Sequence, residues 1–430
     1  MRTLFGVVMI GLSASIASGQ VVVPRTVITP PSSIGHPEDG GLRAHTNLKI
    51  LGEPMTHPSQ TAGPPLPGYF FETPASLACI YGFVPASSPG CNPNVVTANP
   101  TRGARAVAIV DAYDDPNAYS DLQTFSAQFG LAPITPTSFQ VVYAPSGGPS
   151  PGSCSTPPPG PQPPSAAPTG WDVEESLDIE YAHAMAPNAT LYLVEAQSDY
   201  FTDLLCGVSV ASNLVANAGG GEVSMSWGTG EPAQFSIYYP LQPQMDHVFT
   251  KRGVVYFASA GDGPGAIWPS TSPFVVSAGG TTLSTNQTTG SFLLENTWQD
   301  GGGGLSIIES RPPYQNGIAT LVGSHRGTPD IAAIANPNTG VWVLDTLVFG
   351  PGTWYIVGGT SVSSPLLAGI INAAGGFAVS SPAELFEIYS HPSGFTDLTA
   401  GDCGIYIGNF ATPGWDFCTG WGSPWGYLGK

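Results

Sequence analysis

The chain has 430 residues, and its 30 aspartates and glutamates against 11 lysines and arginines give a formal net charge of −19 at pH 7. A nucleic-acid or anionic-membrane partner would need a basic surface, so this balance argues against both classes of partner. The acidic excess suits an acidic medium, in which protonation relieves the repulsion between carboxylates, although any acidic exported protein would share this composition.

The first residues have the pattern of a secretory signal peptide. Arg2 supplies one positive charge, the apolar run over 4–12 is too short to cross a bilayer, and Gly19 closes a stretch of small residues. We therefore assign residues 1–19 to a signal peptide and predict a secreted protein without a membrane span.

Alternating strands and helices follow a loop-rich start. Residues 20–67 are rich in proline, glycine and serine and predict an extended or poorly ordered leader, which leaves 68–430 as the folded domain. The apolar run 106–110 predicts a buried strand that ends at Asp111. Helices are predicted over 117–129, 173–184 and 203–218, and further strands over 190–195, 222–226, 253–259 and 274–278. This alternation predicts an α/β fold with a doubly wound, mostly parallel sheet and helices on both faces, in which ligands bind beyond the carboxyl ends of the strands.

Two carboxylates lie four residues apart in the predicted helix over 173–184. At this spacing Glu174 and Asp178 share one helix face, where two like charges disfavour joint ionisation and tend to share a proton in acid. A solvated acidic face has the same spacing. The apolar neighbours Leu177 and Ile179 indicate a partly buried helix, which favours an interacting pair.

Two further polar residues follow predicted strands. Asp262 comes after the strand over 253–259 in a Gly-Asp-Gly sequence, which is also the sequence of a simple turn. Ser361 follows an apolar run and two glycines that permit a sharp turn, and it precedes a helical pattern in which Pro365 would take the first turn. Backbone N–H groups at a helix start favour developing negative charge, so a serine there is placed to attack a carbonyl; an ordinary serine N-cap has the same sequence.

The six cysteines are an even number in a chain predicted to be exported, which predicts three disulfides. Six cysteines permit fifteen pairings, and the sequence does not choose among them. The two pairs near in sequence are the simplest, and they leave a third: Cys79 with Cys91, Cys403 with Cys418, and Cys154 with Cys206.

Taken in order, the motifs around Glu174 and Asp178, Asp262, and Ser361 resemble those of the sedolisin family, the serine-carboxyl peptidases of the subtilisin-like clan. The resemblance covers residues 69–426 and implies a subtilisin-like fold with Ser361 as nucleophile, Glu174 as its general base and Asp178 orienting Glu174. Asp262 would occupy the oxyanion position, where a carboxyl donates only when protonated, so activity is tied to acid. A glutamate suits that medium because a histidine would be protonated and unable to act as a base.

The same resemblance implies a calcium site near the C-terminus. Asp397 and Asp416 would supply carboxylate oxygens, and Leu398, Thr412 and Gly414 backbone carbonyls. Ligation by oxygen alone suits a hard cation such as Ca²⁺, although glycine-rich loops with aspartates are often only turns. Thr412 stands where the family usually has glycine, a change that a carbonyl ligand tolerates.

Two departures from the family pattern bear on the prediction. Gly358 stands where many members have serine, and residues 20–67 are too short for the large folded N-terminal propeptide that members usually carry. The second departure concerns the usual folding assistance and autoprocessing, and it leaves the catalytic positions intact.

Two alternatives come from different classes. A histidine-based subtilisin would use Asp111, a histidine and Ser361, but none of the seven histidines has a His-Gly-Thr-His-like context, and His183 lies among alanines as a packing histidine would. A non-catalytic secreted binding protein on a peptidase scaffold would not need Glu174 and Asp262. We therefore predict a secreted, acid-acting serine-carboxyl peptidase, a monomer with one structural Ca²⁺ that acts on proteins or peptides.

Overall fold

The computed structural model describes residues 26–36, 38, 40–56, 71–85, 90–96, 98–231, 242–404 and 409–430, so the predicted signal peptide lies outside it. The α-helices are α1 (Pro74–Ile80), α2 (Ala118–Phe129), α3 (Trp171–Met185), α4 (Phe201–Asn217), α5 (Gln242–Met245), α6 (Ala319–Val322), α7 (Thr360–Ala374) and α8 (Ser381–Ser390). The strands are β1 (Val27–Ile28), β2 (His45–Thr46), β3 (Lys49–Leu51), β4 (Met55–Thr56), β5 (Ala106–Ala112), β6 (Phe139–Tyr143), β7 (Thr190–Ala196), β8 (Gly221–Met225), β9 (Trp227–Gly230), β10 (Val254–Ser259), β11 (Ile267–Trp268), β12 (Val276–Thr285), β13 (Phe292–Thr297), β14 (Gly304–Ser310), β15 (His325–Thr328), β16 (Ile331–Ile334), β17 (Val341–Leu344), β18 (Thr353–Gly358), β19 (Phe395–Thr396) and β20 (Ser423–Pro424). No helix within the described ranges combines the length and apolar character that a membrane crossing requires.

A central sheet carries the fold. Its strands lie in the order β13, β12, β10, β8, β5, β7 and β6, and β16 also pairs with β12. The pairs are parallel except for β13, which runs antiparallel to β12. Successive residues of β5 face opposite sides: Val107 and Ile109 pack in the core that includes α2, α3 and α7, whereas Ala108 and Val110 pack in the core that includes α4. The predicted α/β class with helices on both faces of a mostly parallel sheet is confirmed.

Helices α3 and α7 lie side by side on one face of this sheet. Every residue of α3 is buried. A Cβ atom at Gly369 of α7 would lie 2.8 Å from the carbonyl oxygen of Ala182 and 2.9 Å from the Cβ of Met185, both on α3. The missing side chain at Gly369 therefore sets how closely α7 approaches the last turns of α3.

The segment over 26–56 is more ordered than the predicted leader. Strand β2 pairs antiparallel with β9, β3 pairs with β1 and β18, and β4 pairs with β18. Leu48, Ile50 and Leu51 are buried in the main core. These short strands add main-chain hydrogen bonds to strands of the domain, and that long-range pairing selects the extended form from the extended or poorly ordered leader that the composition predicted.

All six cysteines form disulfides. The pairs are Cys79–Cys91, Cys154–Cys206 and Cys403–Cys418, with Cα–Cα distances of 5.5, 5.1 and 5.4 Å. These distances lie in the ordinary range for disulfides, and the simplest of the fifteen pairings is confirmed.

Candidate active site

Ser361 is the second residue of α7 and follows β18 through two glycines. Gly359 has φ 103°, and a Cβ atom there would lie 1.9 Å from the carbonyl oxygen of Asn47. A Cβ at Gly358 would lie 2.3 Å from the nitrogen of Pro337. Both positions therefore require glycine, and the resulting sharp turn places Ser361 at the end of the helix where backbone N–H groups are free.

Pro365 lies in the second turn of α7, because the helix begins at Thr360, so the prediction of a first-turn proline is wrong. A proline has no N–H to donate to the carbonyl four residues earlier, which is that of Ser361. The Ser226 hydroxyl donates to this carbonyl instead, at 3.2 Å. Pro365 thus frees an acceptor beside the serine, and Ser226 at the carboxyl end of β8 satisfies it.

Three carboxyl groups lie buried near Ser361. Glu174 and Asp178 project from α3, and Asp111 is the second-to-last residue of strand β5; all three are 0% exposed. Burial raises the pKa of Glu174, and the charge of Asp111 raises it further, while the hydroxyl of Ser361 opposes the rise. Burial followed by the charges of Asp111 and Glu174 raises the pKa of Asp178, and burial raises that of Asp111 to about 8. The group therefore holds protons that isolated carboxylates would release.

Ser361 and Asp178 are joined through Ser226. The Ser226 hydroxyl lies 2.9 Å from Asp178 Oδ1, and the Ser361 hydroxyl donates to the Ser226 carbonyl at 3.1 Å. The oxygens of Glu174 have no hydrogen bond of full geometry from the described residues, although the Ser361 hydroxyl lies close enough to oppose the rise in the pKa of Glu174. Rotation of the Ser361 hydroxyl away from the Ser226 carbonyl would direct its proton toward Glu174.

Asp262 lies on the other side of Ser361, beyond the end of β10. Its Oδ1 accepts hydrogen bonds from the N–H and the hydroxyl of Thr360, at 2.7 and 3.0 Å. Its Oδ2 is buried and has no partner among the described residues, and burial raises the pKa of this carboxyl to about 7. A Cβ at Gly359 would lie 2.6 Å from this Oδ2. A Cβ atom at Gly359 would also touch the carbonyl oxygen of Asn47. The Asn47 carbonyl oxygen and Asp262 Oδ2 therefore both point into the space beside Gly359.

The structure thus brings Glu174, Asp178, Asp262 and Ser361 to one place at the carboxyl ends of the central strands. Ser226 follows β8 at the edge of the sheet where the strand pattern predicts ligand binding. Two other neighbours, Asn47 and Ser259, were not predicted to lie there. Their hydrogen bonds reach across the fold, and only the position of Ser259 at the end of a buried strand would have pointed to it.

His183 offers no support for a histidine base. It lies in the last turn of α3, its Nε2 is 3.1 Å from the carbonyl oxygen of Ala132, and burial lowers its pKa to about 4. Among the described histidines, none makes a hydrogen bond with Ser361.

The C-terminal residues predicted to hold calcium lie in one loop cluster. Asp397 Oδ2 accepts from the N–H of Gly414 at 2.8 Å, and Asp416 Oδ2 accepts from the N–H of Thr412 at 3.0 Å. Asp416 Oδ1 accepts from two further N–H groups, yet burial still raises the pKa of its carboxyl. Leu398, next to Asp397, is buried. Two carboxylates lie on one loop, and their hydrogen bonds within the described part of the chain come from backbone N–H groups and the hydroxyl of Thr419. Such a pair fits a hard cation.

A different acidic cluster was not predicted. Asp115, Asp121 and Asp345 are buried and place carboxylate oxygens within 4.8 Å of one another. Burial raises the pKa of Asp115 to about 7 and that of Asp345 to about 9, so these groups are protonated in acid. Thr346 donates to Asp121 from its N–H at 2.8 Å.

Known proteins resemble the chain over most of its length, although no family model matches it. Sedolisin from Pseudomonas sp. (strain 101) is 27% identical over 92% of this chain and 68% of its own length. Kumamolisin from Bacillus sp. (strain MN-32) is 33% identical over 61% of this chain and 51% of its own, and tripeptidyl-peptidase 1 from Mus musculus is 28% identical over 59% and 50%. The chain thus spans about two thirds of the first relative and about half of the other two.

A solved structure of Pseudomonas sedolisin, a serine-carboxyl proteinase complexed with two molecules of pseudo-iodotyrostatin, has the same fold, with TM-score 0.62 and 23% identity over 85% of this chain and 96% of that one. The fold is subtilisin-like, and it sets a serine close to buried carboxyl groups. The sequence is similar to those of the sedolisin family of serine-type peptidases.

Proposed function

We propose that the protein is a secreted serine-carboxyl peptidase that hydrolyses peptide bonds of proteins or peptides in acid and acts as a monomer. Ser361 is the nucleophile, Glu174 its general base, Asp178 the residue that orients the base, and Asp262 an oxyanion donor. The observation that carries the proposal is the placement of a peptide carbonyl at Ser361: the Ser361 N–H donates to the carbonyl oxygen of Asn47 at 3.1 Å.

The first step follows from the carboxyl groups around Ser361. Because burial and mutual repulsion hold Asp111, Glu174 and Asp178 partly protonated, the group does not carry three negative charges together. Burial and the charge of Asp111 raise the pKa of Glu174, and the Ser361 hydroxyl opposes that rise. In the reactive state, the one negative charge of the group lies on Glu174. Glu174 then takes the proton as Ser361 Oγ attacks the carbonyl, and it returns this proton to the leaving amine.

The oxygen of the attacked carbonyl gains negative charge and needs donors. The first donor is the Ser361 N–H. The second donor is the protonated Oδ2 of Asp262, because this oxygen and the attacked carbonyl oxygen both point into the space beside Gly359. With a pKa of about 7, Asp262 is protonated in acid and loses its donor proton toward neutrality. The acid dependence therefore has a structural cause in one side chain.

We place one structural Ca²⁺ in the C-terminal loop, held by the carboxylates of Asp397 and Asp416 and the carbonyls of Leu398, Thr412 and Gly414. The ion, when bound, would join the loop that contains the Cys403–Cys418 disulfide. This proposal rests on the loop contacts given above and on the family resemblance.

Digestion of an unfolded protein substrate from acid to neutral pH tests the proposed activity. Wild type should be most active in acid, and Ser361→Ala should be inactive at every pH. Ser363→Ala is the matched control, since Ser363 is a buried serine on the same helix whose hydroxyl has no partner among the described residues. Equal digestion by Ser361→Ala and wild type would show that Ser361 is not the nucleophile.

A further inference from the structure

The segment over 44–51, here called the cleft segment, crosses Ser361 in extended form. On one side, β2 pairs antiparallel with β9, with His45 opposite Gly228 and Thr46 opposite Trp227. On the other side, β3 pairs antiparallel with β18, with Lys49 opposite Gly358. An extended peptide held as an added strand on both sides of a nucleophile has the geometry of a bound peptide substrate.

Asn47 is the residue of the cleft segment that meets Ser361. Its N–H lies 3.3 Å from the Ser226 carbonyl and 3.0 Å from Ser361 Oγ, and its carbonyl oxygen accepts from the Ser361 N–H at 3.1 Å. The carbonyl also faces Gly359 and Asp262, as described above. The peptide bond presented to the nucleophile is therefore the bond between Asn47 and Leu48.

The side chain of Asn47 is held by a specific contact. Its Nδ2 donates to the Ser259 hydroxyl at 2.6 Å, and Asn47 is only 2% exposed. Ser259 ends β10 and is itself 0% exposed. A buried hydroxyl that binds a carboxamide leaves an unpaired polar group when an apolar side chain replaces the carboxamide. After the bond, Leu48 is buried, and its N–H donates to the Ser33 hydroxyl at 3.1 Å.

We infer that the Asn47–Leu48 bond is a substrate of the chain's own active site, and that Ser259 selects a carboxamide side chain before the cleaved bond. The inference rests on the proposed function. While the Asn47–Leu48 bond is intact, the cleft segment occupies the active site. Cleavage of this bond opens the active site to other peptides that carry asparagine before an apolar residue.

The chemistry balances with water as the co-reactant. Ser361 Oγ forms a bond to the carbonyl carbon of Asn47, its proton passes to Glu174, and the bond from that carbon to the nitrogen of Leu48 breaks as the proton moves to the nitrogen. Water then hydrolyses the ester, which leaves a carboxylate at Asn47, a free amine at Leu48 and the restored serine.

Purified full-length protein, shifted from neutral pH to acid and followed by intact mass and N-terminal sequencing, tests the cleavage. Wild type should yield a chain that begins at Leu48, and activity on an added protein substrate should rise with a lag that parallels this product. Ser361→Ala should remain uncut, and Ser363→Ala should behave as wild type. Wild type that digests the added substrate while its Asn47–Leu48 bond stays intact overturns the inference and leaves the proposed function standing. Wild type that neither cleaves its own Asn47–Leu48 bond nor digests the added substrate refutes the proposed function as well.

A synthetic peptide with the sequence of residues 43–52 tests the selectivity separately. Processed enzyme should cut it after asparagine, and a peptide with the isosteric leucine at that position should have a kcat/KM about tenfold lower, as expected for one neutral hydrogen bond. In Ser259→Ala the ratio between the two peptides should fall close to one, an effect that general damage to the fold would not produce. An unchanged ratio in Ser259→Ala overturns its assignment as the selecting residue.

Discussion

Replacing Asp262 by asparagine tests whether a protonated carboxyl is needed beside the attacked carbonyl. Burial raises the pKa of Asp262 to about 7, against an ordinary value of about 3.9. Asparagine can accept at Oδ1 from the N–H and hydroxyl of Thr360, and it places an N–H₂ donor where Oδ2 lies. Because an amide does not titrate, the variant keeps a donor at every pH.

The effect on activity follows from the protonated fraction of Asp262. With a pKa of about 7, that fraction falls roughly tenfold between about pH 6 and pH 8, and kcat/KM of wild type should fall with it. We expect Asp262→Asn to lose activity in acid, because the amide donor replaces the carboxyl with changed geometry; the loss should stay below the roughly 10²-fold that a whole oxyanion donor can be worth in kcat. Its remaining activity should not fall across the neutral range.

The same pKa has a consequence for stability. The folded chain keeps the Asp262 proton up to about pH 7, whereas the unfolded chain releases it near about pH 4, so the free energy of unfolding falls as pH rises between these values. The contribution of Asp262 is on the order of 4 kcal/mol, and Asp262→Asn should remove this contribution to the fall. Glu384 is a matched control, because burial on α8 raises its pKa to about 7 as well. Glu384→Gln should reduce the fall in stability and leave the pH profile of activity unchanged.

The assay is kcat/KM on one peptide substrate across acid and neutral pH, with thermal unfolding measured in the same buffers. If kcat/KM of Asp262→Asn falls near pH 7 as that of wild type does, the reasoning is refuted, because another titrating group would then cause the loss of activity toward neutral pH. A Glu384→Gln profile altered like that of Asp262→Asn would show that buried charge in general, rather than the oxyanion donor, controls activity.

Three further predictions concern the scaffold. Asp416→Ala should weaken calcium binding and lower the melting temperature more than it changes KM, since a bound ion stabilises the folded state by mass action; wild-type melting that does not respond to a chelator contradicts the calcium site. Thiol titration of the unfolded, unreduced protein should find no free sulfhydryl, and two or more would contradict the three disulfides. Gly369→Ala should cost about 1–3 kcal/mol of unfolding free energy by forcing α3 and α7 apart, whereas Gly317→Ala, with open space around its Cβ, should be close to neutral by denaturant titration.

The central sheet and the four proposed catalytic positions could be predicted because each has a local pattern. The apolar run of β5 and the spacing of Glu174 and Asp178 on α3 are visible within a few residues of sequence. Burial of all of α3 is not visible there, since it comes from packing against α7 and the sheet. The raised pKa values of Glu174 and Asp178 depend on that packing, so the sequence predicted only that the two carboxyl groups share a proton in acid.

The cleft segment could not be predicted because its interactions are entirely long-range. Asn47 and Ser361 are 314 residues apart in sequence, and the two-residue strand β2 is too short to show a period. Local composition therefore predicted an extended or poorly ordered leader, and strand pairing with β9 and β18 holds its described part in extended form. The position of Pro365 was mistaken for a similar reason: the helix start depends on Gly359 and its contacts across the fold.

Turnover of an acid peptide substrate by Ser361→Ala, Glu174→Gln and the double variant tests the central claim most directly. We predict that each single change lowers kcat by about 10⁴-fold or more and that the double variant is scarcely worse, because residues that act as one catalytic unit are not additive. Asp178→Asn should be milder, since Asp178 orients the base without taking the serine proton. Active Glu174→Gln together with a His183→Ala variant as damaged as Ser361→Ala would contradict the carboxylate mechanism and favour a histidine base.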